Sequence, residues 1–313
     1  MPGCSAGNRK SSLCFELKAP KAGRDICWRE LVIRTRVSLM LLLPAVAVFL
    51  LFLVFPVLLV LEESFRAYVP GRIGGVEGVP LTVKNYTELL HPAYARYFIQ
   101  TYFLSFCGAA LAILVGFPIA YHIARNASPR VRQAWIAALI GLLFLSGLVR
   151  IFAIQLTFGS VGMLAPITAF LGVNINGNAY TNFVIVAGLL HYEIPLSILI
   201  LMDPILSLNP RLTEAAQSLG ASKLESHLTV TIPMCIKGLV SAFLVSMTFG
   251  VSAFVIPWIL GRGRVVFISN LIYSRFSEVA NYQSGAAISI VMMVLSALLI
   301  FILSRLTTLL DRT

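Results

Sequence analysis

Residues 209–233 read NPRLTEAAQSLGASKLESHLTVTIP. Asn209 ahead of Pro210 is a helix start, an N-cap side chain followed by proline at the first helical position. Leu212, Ala215, Ala216 and Leu219 then recur at helical spacing on one face. Gly220 ends that helix as the residue just past its C-terminus, where a positive φ costs glycine nothing. Ser222 and Glu225 form an S-x-x-E capping box that opens a second helix, and Pro233 stops it. The spacing predicts two short helices joined at a glycine elbow. Periodicity alone leaves open whether this pair is a bent knob or an amphipathic hairpin lying on a membrane.

What lies on either side of the knob is apolar. Hydrophobic residues make up 58% of the 313 and charged residues 12%, about half the charged share of a soluble domain. Lipid must be the solvent for most of such a chain. A spanning helix needs about 20 mainly apolar residues. Six stretches qualify: 37–61, 98–121, 134–153, 182–202, 236–260 and 285–303. The expected fold is an all-α integral membrane protein with six transmembrane helices. A polar tail, 1–36, precedes a membrane domain, 37–313, and the knob belongs to the connection 203–235.

Lys and Arg set orientation, the cytoplasmic side holding the excess. The tail, the connection between the second and third stretches, the connection 203–235 and the C-terminal end together carry sixteen, against eight on the other side. Both termini and the knob are therefore expected in the cytoplasm. Loop 62–97 falls outside and is rich in Gly and Pro. Loop 154–181 also falls outside, and its four glycines predict a folded-back or short-helical segment. The tail reads as lacking a cleavable signal, since its apolar run begins only near Val37 and is too long for one.

Glu214-Ala215-Ala216, then Gly220, then Val230-Thr231-Ile232-Pro233 resembles the EAA motif of ABC importer permeases: EAA, three residues, Gly, nine residues, then Ile-x-Leu-Pro. The spacing agrees throughout, with Val230 and Ile232 in the two aliphatic places. The resemblance implies a type I ABC importer transmembrane domain in a bacterial inner membrane. In that family the loop is a coupling helix that docks on an ATPase. It assigns Glu214, Ala215, Ala216, Gly220, Val230, Ile232 and Pro233 to coupling. The implied partners are an ABC ATPase homodimer, a second permease subunit that is a distinct homologue, and an extracytoplasmic substrate-binding protein. ATP and Mg belong to the ATPase. This chain has no GxxxxGK[ST] phosphate loop and is expected to have no cofactor or catalytic site of its own.

Further segments resemble the spermidine/putrescine branch: Leu81 to Tyr86 with its Asn-Tyr pair, Leu148 to Phe152 around Arg150, and Asn270-Leu271-Ile272 with Phe276, Asn281 and Gly285-Ala286-Ala287. Tyr282-Gln283-Ser284 replaces that branch's Trp-Pro-x. The resemblance implies import of a polyamine or related nitrogenous solute, and the branch also covers opines, amino acids and their derivatives.

Four polar residues are candidates for the substrate path. Glu193 lies mid-way along the fourth stretch, where an acid costs roughly 2.5–3.5 kcal/mol on insertion scales. It either lines the path and attracts a cation, or makes a helix–helix hydrogen bond, or packs as a neutral carboxyl against a second permease. His191 contacts substrate or satisfies a backbone carbonyl. Arg150 meets the binding protein, closes an outer gate or snorkels to head groups. Ser252, with Ser246, Thr248, Gly250 and Pro257, interrupts the fifth stretch, where these residues line a pore or pack, and Pro257 predicts a kink.

Other function classes fit poorly. A net charge of +11 in a soluble protein points to nucleic acid, but no basic stripe interleaves with aromatics. The five cysteines show no CxxC or metal-ligand spacing. An intramembrane enzyme would need paired catalytic groups, and His191 and Glu193, two apart on a helix, do not face each other. A stand-alone carrier or channel usually has more spans and internal repeats.

Overall fold

The computed structural model describes residues 42–70, 80–159 and 162–310. The tail 1–36 and the glycine-rich part of loop 62–97 lie outside them. Among the described residues the structure is helical, apart from an isolated antiparallel bridge between Arg66 and Leu81. The chain divides into two compact units, 1–59 and 60–313. The described part of the first is helical throughout and belongs to α1 (Leu42–Ser64). The remainder of the architecture belongs to the second.

Its spine is a pair of long helices, α3 (Pro92–Arg125) and α7 (Asn178–Ser207). Their 34 and 30 residues reach about 50 and 45 Å at 1.5 Å per residue. They approach closely because small residues line the seam. A Cβ on Gly116 would lie 2.5 Å from Ser197 Oγ, and one on Gly108 2.8 Å from Glu193 Oε2. α10 (Ile236–Ser252) packs on both helices. One apolar core gathers Leu104, Ile185, Leu189, Ile256, Leu260 and Phe267. Another gathers Ile123, Leu139, Ile198, Leu201 and Ile205.

Four helices are single apolar elements long enough to cross a bilayer: α1, α3, α7 and the last, α13 (Tyr282–Leu310). Two further pairs reach that length only together. α4 (Pro129–Phe144) and α5 (Gly147–Phe158) meet at 88°, and α9 (Lys223–Met234) meets α10 at 72°. The stretch 134–153 is therefore not one straight helix. Its chain turns at Leu145 and Ser146, both extended in ψ.

The stretch 236–260 is also divided. α10 ends at Ser252, Ala253 is extended, and a short α11 (Val255–Leu260) follows. Pro257 sits in the first turn of α11, where its missing N–H has no intrahelical partner to lose. The expected kink at Pro257 falls four residues earlier instead. Short helices α2 (Lys84–Leu89), α6 (Ala165–Phe170), α8 (Arg211–Ser218) and α12 (Ile268–Tyr273) occupy connections. α6 is the short helix expected in loop 154–181.

The segments quoted for the polyamine branch act as clamps. Asn85 Nδ2 donates to the carbonyls of Ser64 (2.8 Å) and Arg66 (2.9 Å), and the Tyr86 hydroxyl pairs with Ser64 Oγ at 2.6 Å. Asn85 thus satisfies a carbonyl at the C-terminal end of α1, and Tyr86 holds the Ser64 side chain beside it. Gly285 admits the Phe276 ring, which would stand 2.8 Å from a Cβ there. Gln283 Nε2 donates to Glu63 Oε1 at 2.6 Å.

Candidate functional site

Most of the knob forms as its sequence dictates. α8 starts at Arg211, however, with Pro210 in the cap position, and α9 runs through Pro233 to Met234 instead of stopping there. Asn209 Oδ1 accepts the Arg211 N–H at 3.1 Å. Gly220 has φ +96°, and the Ala221 N–H returns to the Ala216 carbonyl at 3.1 Å, closing the helix end. Ser222 and Glu225 make the reciprocal capping box at 3.2 and 2.8 Å. The Ser222 backbone N–H, and after it the Ser222 side chain, hold the exposed Glu225 carboxyl below its ordinary range.

α8 and α9 brace one another through Gln217 Nε2 and Ser226 Oγ at 3.2 Å. Thr213, Ser226 and Thr231 are buried at the inner side. The apolar face goes the other way. Leu212, Leu219, Leu224 and Leu228 are 42, 89, 68 and 53% exposed, which is unusual for a leucine set on one small element. Glu214 and Ala215 of α8 are exposed as well. On α9 Val230 and Ile232 are half-buried, and Pro233 is exposed next to the 72° bend.

The knob is bolted to the spine at several points. Arg125 Nη2 donates to the Ile205 carbonyl at 2.6 Å and also to that of Leu208, joining the C-terminal ends of α3 and α7. The cation also suits the negative end of the α7 dipole. The His227 ring stands edge-on to Tyr121 at 4.7 Å, with its Nδ1 3.1 Å from Thr231 Oγ. Past the bend, Gly238 lies so near Pro204 that a Cβ would be 2.4 Å from its Cγ. Neither Arg125 nor Tyr121 carries a local signal of these contacts. Their roles depend on partners about 80 and 100 residues away.

The two interrupted stretches converge on one cavity of about 430 Å³. Ser146, Gly147 and Leu148 come from the α4–α5 break, and Ser252, Ala253 and Phe254 from the α10–α11 break, with Tyr192 and Phe249 between. Backbone carbonyls freed at the second break are met from α12: Ser269 Oγ donates to Ala253 O at 2.6 Å and Asn270 Nδ2 to Phe254 O at 2.9 Å. This is what irregular backbone in an apolar setting requires. It also gives the Asn270 segment its structural work. The Tyr192 and Phe249 rings lie 5.2 Å apart, so the wall is aromatic with hydroxyl groups interspersed.

Of the four path candidates, Ser252 lines this cavity. Arg150 does not snorkel. It is 4% exposed, its guanidinium carbon lies 3.7 Å over the Tyr192 ring, and its Nη2 donates to Leu143 O at 3.4 Å. Its Nε and Nη1 have no partner among the described residues. His191 is half-buried, with its ring edge-on to Tyr192 at 6.2 Å. Glu193 is fully enclosed by α3 and α10 rather than on the cavity wall in this conformation. Tyr192 is one of several cavity residues, with Phe249, Phe254 and Ser146, that the sequence does not single out. Its tie to Gly147, whose Cβ would lie 2.4 Å from the Tyr192 hydroxyl, carries no local sequence signal.

No protein-family model matches the sequence. Comparison with known proteins nevertheless finds the spermidine/putrescine transport system permease protein PotB of Haemophilus influenzae. It is 30% identical over 264 residues, spanning 83% of this chain and 91% of that protein. Among solved structures, a subunit of a bacterial ABC transporter importing the acidic polysaccharide alginate superposes with TM-score 0.68 over 90% of this chain and 98% of its own, at 18% identity. The bacterial alginate ABC transporter in complex with a pentasaccharide-bound periplasmic protein gives 0.65 over 90% and 96%, also at 18%. At that identity the two structures speak for the fold, and the PotB relative for the family. A membrane chain with a bent knob between two apolar helices, two broken helices around a cavity and this relative belongs to the ABC importer permease family, in the spermidine/putrescine permease branch.

Proposed function

We propose that the chain forms half of a path for a polyamine or related nitrogenous solute across a bacterial inner membrane, with six spans and both termini in the cytoplasm. As a permease subunit it has no catalytic site of its own, and ATP and Mg stay on a partner ATPase dimer. The observation that carries this reading is the convergence of two helix breaks on one aromatic cavity. Ammonium groups are attracted to aromatic faces, and the Tyr192, Phe249 and Phe254 rings with the Ser146 and Ser252 hydroxyls suit a flexible polyamine. The spermidine/putrescine relative supports the same solute class.

The knob is the lever in this reading. Its exposed leucines offer an apolar face to a groove on the ATPase, and its bolts to α3, α7 and α10 carry motion into the path. Closure of the ATPase pair then rocks rigid helices so that the cavity faces alternately out and in. A second, related permease completes the path, and an extracytoplasmic binding protein delivers solute, as the periplasmic protein in the alginate transporter complex suggests by analogy.

A second reading concerns the solute alone. The buried Arg150 cation, with two donors unpaired among the described residues, stands on the Tyr192 ring beside the cavity. That favours a solute carrying a carboxylate, such as an opine or amino acid derivative. Uptake of labelled putrescine, spermidine and a carboxylated amine by proteoliposomes holding the whole importer decides between them. Polyamine uptake that needs ATP supports the first, carboxylate-selective uptake the second, and ATP-independent uptake neither.

A further inference from the structure

Glu193 is 0% exposed, and neither carboxyl oxygen has a hydrogen-bond partner among the described residues. The site around it is shaped for the carboxyl. A Cβ on Gly108 of α3 would lie 2.8 Å from Oε2, and one on Gly250 of α10 would lie 3.1 Å from Oε1 and 3.0 Å from Ser105 Oγ. Ser105 Oγ and Ser246 Oγ, the latter one turn before Gly250, are likewise buried and unpartnered. Two glycine notches, the Ser105 hydroxyl and one acid thus meet where three helices pack.

Among the described residues, no opposite charge reaches this junction. Within two turns of Gly108, α3 carries only Tyr102 and Cys107 as titratable groups, and the Tyr102 hydroxyl is engaged with Ser296 at 2.8 Å. On α7 the neighbours are His191 and Tyr192, with Arg150 of α5 on the Tyr192 ring. Between Lys237 and Ser252, α10 has none. A carboxylate ion here would have neither donor nor counter-charge, a state that buried groups avoid by taking up a proton. A neutral carboxyl leaves far less uncompensated polarity in such a site than the ion does.

We propose that Glu193 is a proton-binding site at the α3–α7–α10 junction, holding one proton on its carboxyl while the helices are packed and yielding it to water when they part. The second half of this statement rests on the alternating-access reading, and the first does not. The protonated acid stabilises the packed junction, so that form is favoured at low pH and lost as pH rises.

Infrared difference spectra of the intact importer in lipid, wild type minus Glu193→Gln, test the first half. A deuterium-sensitive carbonyl stretch of a protonated carboxylic acid at neutral pH is expected in wild type and absent from the variant. Its absence from wild type overturns the proposal. Glu193→Met, close in volume and unable to titrate, serves the same comparison if the glutamine variant does not assemble. ATP-driven uptake then tests the second half. With pH raised on both sides, wild type should lose activity by up to about tenfold per pH unit, the limit for one proton, while Glu193→Gln stays flat. Parallel pH profiles for the two overturn the link to opening while leaving the infrared result to stand or fall on its own.

Discussion

Arg125 Nη2 donates to the Ile205 carbonyl at 2.6 Å, so the last turn of one spine helix is tied to the last turn of the other at the root of the knob. Arg125→Ala should leave the Ile205 and Leu208 carbonyls without their donor, a loss of about 1–3 kcal/mol for buried acceptors of a charged bond. The thermal midpoint of the purified importer should fall, and ATP hydrolysis should become less dependent on loaded binding protein. Arg125→Lys should recover part of both.

Gly220 tests backbone strain apart from packing. Nothing lies within 4 Å of a Cβ built there, yet φ is +96°. Gly220→Ala should therefore cost about 1–2 kcal/mol through the left-handed conformation alone, and Gly220→Asn less. Hydrogen exchange across 211–226 should quicken in the alanine variant, with membrane insertion unchanged.

Gly147 and Tyr192 form a pair that a double-mutant cycle can isolate. Gly147→Ala pushes a methyl against the Tyr192 hydroxyl and should depress uptake and stability. Tyr192→Phe removes that hydroxyl and should rescue the alanine variant, with a coupling of about 0.5–3 kcal/mol. Additive effects would mean that the two do not share the α4–α5 break.

Glu225 gives a pH signature outside the membrane. Its folded carboxyl lies below the ordinary value because of the Ser222 bonds. Its contribution to the start of α9 is present above the ordinary glutamate range and lost as pH falls through the lowered folded value. A carboxyl-carbon NMR titration should place Glu225 below unstructured glutamates, and Ser222→Ala should bring it back up toward them, the Ser222 backbone N–H bond remaining.

Local chemistry was readable and long-range chemistry was not. The Asn209 cap, the Gly220 turn and the Ser222–Glu225 box depend on neighbours within a few residues, so spacing alone revealed them. The apolar runs of α3, α7 and α13 were equally legible, since length and hydropathy are local properties. The breaks at Leu145 and Ala253 were not, because hydropathy runs through both. What permits the second is Ser269 and Asn270, sixteen residues downstream, meeting freed carbonyls. The enclosure of Glu193 was hidden for the same reason: its notches are Gly108 and Gly250, on two other helices. Nor did spacing reveal that Arg150 stands over the Tyr192 ring of α7, about 40 residues away in sequence.

The claim that the knob is the contact to an ATPase is tested most directly by photocross-linking. A photoreactive phenylalanine analogue in place of Leu219, which is 89% exposed, is compared with one in place of Leu90, 82% exposed in the connection before α3. Irradiation of the assembled importer should join position 219, and not position 90, to the ATPase subunit. No adduct from 219, or equal adducts from both, would contradict it.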